Sequence, residues 1–114
     1  MSLIRATIRT ATLAMALGLA SVTAQAEPAT HTVTQKNGQF VPSTLTIKRG
    51  DIVIIRNDDN QPHHVVSYTP HFLFDLDLQA PGQENKIVFD TTEKLVVVSC
   101  DIHHNMELLV TVQQ

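Results

Sequence analysis

The chain of 114 residues is long enough for one small domain and little more. Its composition, 43% apolar and 17% charged, argues against both a disordered tail and a bundle of membrane helices. The formal net charge of −3 argues against nucleic-acid binding, which needs a basic surface. One Cys cannot form an intrachain disulfide, and six His in so short a chain point to metal chemistry.

The first 26 residues have the pattern of a secretory signal peptide. Arg5 and Arg9 give a positive start, the run Ala11–Val22 is apolar, and the stretch Ala24–Ala26 has the small-x-small form of a cleavage site. A membrane anchor is the alternative, but the apolar run is shorter than the about 20 residues that cross a bilayer. We therefore expect a periplasmic protein with no membrane span after cleavage.

Cleavage after Ala26 would leave a mature domain of residues 27–114. The leader carries two of the eight basic residues and none of the eleven acidic ones, so the 88 mature residues have a net charge of −5. A domain of this size buries a modest core, and a bound metal can add to its folding free energy. We expect this single domain to be a monomer.

The mature sequence alternates apolar and polar residues with the period of β-strands and shows no helical period. Short runs rich in β-branched residues are separated by turn residues such as Asn37-Gly38 and Pro81-Gly82. Seven or eight short strands with regular breaks predict an all-β Greek-key sandwich. In chain order, the predicted strands include Thr32–Thr34, Leu45–Ile47, Asp51–Arg56, Val65–Tyr68, Phe72–Leu78, Lys86–Phe89, Lys94–Ser99 and Leu108–Val112.

Two adjacent histidines follow Pro62 at the start of a predicted strand. Adjacent side chains of a strand point to opposite faces, so only one of the two should face a metal. His63 is the predicted ligand, and His64 is the alternative. We expect His64 and the similarly doubled His104 to be exposed or to lie beside the ligands.

The only Cys and the only Met of the mature chain, Cys100 and Met106, lie six residues apart with His103 midway. They follow one predicted strand and precede another, and distant strand ends lie side by side in a sandwich. A loop there can therefore meet the first histidine, His63.

Thiolate and thioether are soft ligands and imidazole is intermediate, so this set favours copper over magnesium or calcium. Met is a poor zinc ligand. Two His, one Cys and a weak Met match a blue-copper electron-transfer centre, which keeps no open position for substrate. We therefore predict an electron carrier rather than an enzyme.

The chain resembles the cupredoxins, in particular the small plastocyanin-like and amicyanin-like blue-copper proteins. Phe40–Asp51 is similar to the second-strand signature of that family, and Asn57–Val65, with its Pro-His-His-Val end, is similar to the first-ligand loop. The spacing Cys-x-x-His-x-x-Met is that of amicyanin-like members. The resemblance implies one copper per chain and transient redox protein partners, and the negative charge would favour basic ones. The implied ligands are His63, Cys100, His103 and Met106.

Two other hypotheses use the same residues. One is a periplasmic copper-binding or delivery protein that holds mainly Cu(I), which the extra His64 and His104 favour. The other is an interaction β-sandwich with a vestigial site.

Four acidic side chains are expected to be solvated charges in turns and at strand edges. The alternative is that they form a patch for a basic partner. These are Asp58, Asp59, Asp75 and Asp77.

Overall fold

The computed structural model describes residues 3–4, 7, 10–18 and 26–114. Arg5, Arg9 and most of the expected cleavage site lie outside the described residues, so the signal peptide remains a prediction. Within the described residues, no helix has the length and apolar character needed to cross a membrane.

Nine strands form between residues 30 and 113, where apolar and polar side chains alternate. Most follow the alternation of the sequence, with buried residues at every second position. The strands are β1 (Thr30–Lys36), β2 (Gln39–Val41), β3 (Thr44–Lys48), β4 (Ile52–Asn57), β5 (His63–Ser67), β6 (Phe74–Gln79), β7 (Glu84–Val88), β8 (Leu95–Cys100) and β9 (His103–Gln113).

The strands form two sheets, a four-stranded sheet in the order β2-β1-β4-β7 and a five-stranded sheet in the order β3-β9-β8-β5-β6. The β1–β4 and β3–β9 pairs are parallel and the other pairs are antiparallel. Inward-facing residues of both sheets form one hydrophobic cluster that includes Val33, Val53, Phe89, Val98 and Val110. This architecture confirms the predicted all-β Greek-key sandwich.

The additional strand, β2, raises the count to nine because it has only three residues, too few to show an alternation in sequence. It pairs with β1 through a two-residue turn at Asn37 and Gly38, whose φ angles are 53° and 67°. Positive φ at both central positions is typical of the hairpin turn that Asn-Gly favours. The backbone N–H groups of both turn residues donate to the side chain of Asp59.

Strand β6 departs from the simple alternation expected of Phe72–Leu78. Asp77 has a φ of 56°, and the β5–β6 pairing slips by one residue beside it. The extra residue reverses the phase, so Leu78 is 64% exposed and Gln79 is buried instead. The buried Gln79 side chain accepts a hydrogen bond from Gln35 between the sheets.

Three strand ends meet at one pole of the five-stranded sheet. Val65 near the start of β5 pairs with Cys100 at the end of β8, and Cys100 also pairs with His103 at the start of β9. The backbone ladder therefore brings together residues that are about forty positions apart in sequence. We call this end of the molecule the metal pole.

Candidate metal centre

His63 and His64 point to opposite faces of β5. The His63 side chain is fully buried, whereas His64 is half-buried. Strand alternation therefore sends only one of the two imidazoles toward the interior, as the sequence predicts.

Cys100 ends β8 and is 4% exposed. It is a free thiol, as a single Cys requires. Its sulfur accepts a hydrogen bond from the backbone N–H of His64 at 3.4 Å. A backbone N–H is a hydrogen-bond donor suited to a negatively charged sulfur ligand. The backbone of His64 thus contributes to the site although its side chain points away.

His63, Cys100 and His103 converge on one point. The two Nδ1 atoms lie 3.3 Å apart, and the Cys100 sulfur lies 3.9 Å from Nδ1 of His63 and 3.5 Å from Nδ1 of His103. Among the described residues, these three form the group of His, Cys, Asp or Glu side chains able to hold a metal ion. Both rings present the same nitrogen to the common point.

Met106 lies in β9 and is 2% exposed. Its side chain belongs to the same hydrophobic cluster as Cys100 and lies close to the three converging residues. The structure therefore brings together all four residues that the sequence analysis selects. Two imidazole nitrogens, a thiol sulfur and a thioether sulfur form a soft donor set that fits copper and does not fit magnesium or calcium.

Asp59 is a participant that sequence reasoning missed. We expected a solvated turn charge, but its side chain is 6% exposed and Oδ2 lies 2.7 Å from Nε2 of His63. The error has a physical reason. Asp59 stands in a run of six polar residues, 56–61, that looks like any exposed turn. Its burial comes from the turn at Asn37 and Gly38, which packs over it from more than twenty positions away.

The Asp59 carboxylate remains charged despite its burial. Burial alone would raise its pKa, but hydrogen bonds from the Gly38 N–H, His63 and the Asn37 N–H together hold the pKa below the ordinary value of 3.8. The carboxylate therefore acts only as a hydrogen-bond acceptor at neutral pH.

Two other acidic residues, Asp75 and Asp77, match the expectation of exposed charges. Asp58 is half-buried and forms an ion pair with Arg56 at 2.8 Å. Asp75 is 57% exposed and lies 2.6 Å from Nε2 of His64. That hydrogen bond raises the pKa of His64 above 6.5. His104 is exposed, and neither His64 nor His104 belongs to the converging group.

A second imidazole–carboxylate pair lies at the opposite pole. His31 Nε2 lies 2.9 Å from Oδ2 of Asp51, and the carboxylate also accepts the backbone N–H groups of Ala29 and Lys48. The His31 hydrogen bond is the largest cause of a lowered pKa at Asp51, followed by the one from Lys48. This pair connects β1 to the turn before β4.

Residues 9–110 match the profile of the cupredoxin-like domain. No curated protein sequence matches the chain.

Several solved structures share the fold. A copper-containing nitrite reductase from Thermus scotoductus SA-01 aligns with a TM-score of 0.69 and 24% identity over 78% of this chain, but this chain spans only 23% of that enzyme. A purple cupredoxin from Nitrosopumilus maritimus aligns with a TM-score of 0.63 and 24% identity, covering 73% of this chain and 99% of that one. A methionine-to-alanine mutant of amicyanin, in its Cu(I) form, aligns with a TM-score of 0.67 and 19% identity, covering 79% of this chain and 87% of that one.

Proposed function

Since the chain belongs to the cupredoxin-like family, we propose that it is an exported blue-copper protein that carries single electrons between redox partners. One copper per chain would be held by His63, Cys100, His103 and Met106. Copper would supply reversible one-electron chemistry at this pole of the molecule.

The observation that carries the proposal is the convergence of two Nδ1 atoms and one sulfur within 3.3 to 3.9 Å of one another. The three atoms come from β5, β8 and β9, so the sheet itself holds them. A site held by paired strands limits movement of its donors. A carrier needs this limit because each electron transfer is slowed by any rearrangement of the ligands.

The surroundings of Cys100 suit a bound thiolate. The side chain is nearly inaccessible to water, and the His64 N–H donates to its sulfur. Burial protects a thiol from oxidation and from exchange with other thiols. Cys100 would therefore serve as a ligand in an oxidising compartment without forming a disulfide with another protein.

His103 is the donor that reaches the surface. It is half-buried, whereas His63 is fully buried. The apolar residues that precede the two histidines in sequence, Ile102 and Pro62, are exposed. A partner that docks on this apolar surface would come closest to the site at His103. Redox partners form small, weak contacts of this kind, which allow rapid release.

The partners are proposed from charge alone. Residues 27–114 carry a net charge of −5, which would steer a basic partner toward the protein. The association rate should then fall as ionic strength rises. An electron carrier is favoured over an enzyme because the donor set fills the copper's strong positions.

The test is a Cu(II) titration of the chain from residue 27 onward. We expect one equivalent to bind, an intense thiolate-to-copper absorption in the red part of the visible spectrum, and reversible voltammetry. Cys100→Ser should abolish the absorption. Absence of stoichiometric copper binding would overturn the proposal. Binding without reversible voltammetry would favour a copper-delivery protein instead.

A further inference from the structure

We propose that Asp59, fixed by the β1–β2 turn, is a positioning residue that sets the protonation pattern of the His63 ring and thereby aims the lone pair of Nδ1 at the metal. The inference rests on the proposed function, because it concerns the same copper site. It extends the site beyond its four donors to a carboxylate and to a turn on the other sheet.

The carboxylate is held at three points. Oδ1 accepts the Asn37 N–H at 2.6 Å, and Oδ2 accepts the Gly38 N–H at 3.0 Å and the His63 ring at 2.7 Å. The Asp59 backbone N–H also donates to Oδ1 of Asn57 at 2.9 Å. A turn with two successive positive φ angles aims adjacent N–H groups at one concave point, which binds an anion. Here the anion is the protein's own carboxylate.

The proton positions follow from the donor inventory. An ionised carboxylate only accepts hydrogen bonds, so Nε2 of His63 must carry the ring proton that meets Asp59. A neutral imidazole has one N–H, and Nδ1 of His63 is therefore left with its lone pair. That nitrogen is the one that faces Cys100 and His103.

The two histidines consequently differ before any metal binds. Nε2 of His63 meets a carboxylate at 2.7 Å, whereas Nε2 of His103 has no hydrogen-bond partner among the described residues. The orientation of the His63 ring is therefore fixed by a contact that the His103 ring lacks. We infer that the buried histidine is the preset ligand and the half-buried one completes the site.

Asp59 should also affect the copper itself. A carboxylate on the far nitrogen of a ligand histidine fixes the ring orientation and raises its basicity as a ligand. A buried negative charge near the site favours the more positive, oxidised metal. Loss of that charge should therefore weaken Cu(II) binding and raise the reduction potential.

The decisive variant is Asp59→Asn, and Asp58→Asn is its matched control. Both remove one negative charge at adjacent positions, but Asp58 points to Arg56 at the surface. We expect Asp59→Asn to weaken Cu(II) binding by roughly 10–100-fold and to raise the potential, whereas Asp58→Asn leaves both near the wild-type values. Asp59→Glu, which keeps the carboxylate, should recover part of the affinity. Equal effects of Asp59→Asn and Asp58→Asn would overturn the proposal.

A second measurement needs neither copper nor a variant. Nitrogen NMR of the metal-free wild-type protein should show the His63 ring protonated at Nε2 and bare at Nδ1. A His63 ring protonated at Nδ1 would overturn the inference even if Asp59→Asn fails to fold. This measurement also separates the two proposals. A chain that takes up no copper but shows the expected His63 ring retains the positioning role of Asp59 and loses the electron-carrier function.

Discussion

Two imidazole–carboxylate pairs lie at opposite ends of β4, Asp51 just before the strand and Asp59 just after it. Each carboxylate accepts two backbone N–H groups and one imidazole Nε2. The pairs differ in what the other ring nitrogen meets. Nδ1 of His63 faces a sulfur and a second imidazole, whereas His31 belongs to no metal-holding group among the described residues. An imidazole–carboxylate pair of this kind therefore does not make a metal site by itself. It contributes to one only where the second ring nitrogen faces other donor atoms.

The two pairs also differ in burial, and burial sets the energetic consequence of losing each one. The His63 side chain is 0% exposed and the His31 side chain is 26% exposed. Water can replace an imidazole at the surface but not in the interior, so the buried pair should be far more sensitive to mutation.

The largest expected effect comes from comparing His63→Ala with His31→Ala. His63→Ala creates a cavity and leaves a buried carboxylate without one of its donors, which should lower the free energy of unfolding by about 2–4 kcal/mol. It should also abolish the blue copper spectrum. His31→Ala should cost about 1 kcal/mol and keep the spectrum. Urea unfolding of both metal-free variants checks this, and equal losses would show that burial does not govern the difference.

Met106→Gln separates burial from ligation at the metal pole. Met106 is as deeply buried as His63 but is a weak donor in the proposed site. We expect the variant to keep copper and to show a lower reduction potential, because an amide oxygen is a harder donor that favours oxidised copper. Voltammetry measures the change. An unchanged potential would argue against a Met106–copper bond.

The pair of His31 and Asp51 should affect how the free energy of unfolding depends on pH. The folded-state pKa of Asp51 lies below 3.8, so its stabilising contribution is complete above that pH and disappears as the pH falls through the lower folded value. His31→Ala removes the main cause of the lowered pKa. The stability of this variant should therefore fall less than that of the wild type as the pH is lowered, and urea midpoints between about pH 5 and about pH 2 would show the smaller fall. Asp51→Asn, which cannot titrate there, is the control.

The smallest effect is expected at a third pair, His64 with Asp75, which is exposed. His64→Asn removes this surface contact but retains the backbone N–H that donates to Cys100. We expect an unchanged copper stoichiometry and a visible spectrum close to that of the wild type. Loss of copper would mean that the His64 ring, and not only its backbone, belongs to the site.

Residue type and spacing were sufficient to select the four side chains that the structure brings close together. The soft pair Cys100 and Met106 with His103 between them predicts copper, and strand alternation separates His63 from His64. Alternation and short β-branched runs also predict eight of the nine strands, each of which has at least five residues. This information is local, so a single sequence contains it.

What sequence could not predict depends on contacts between distant segments. Asp59 is buried because the Asn37–Gly38 turn packs over it, and no pattern near Asp59 reveals this contact. The reversed phase of Leu78 and Gln79 arises from one extra residue in β6, which is visible only once β5 lies beside it. Both features require the register between strands.

Strand β9 has two halves that are held in different ways. Residues 109–111 are paired with β3 on one side and β8 on the other, whereas His103 and Glu107 are paired only with β8. The first half is anchored instead by Met106, whose side chain is buried in the core. Its donors are therefore held by one ladder together with core packing, and both limit their movement.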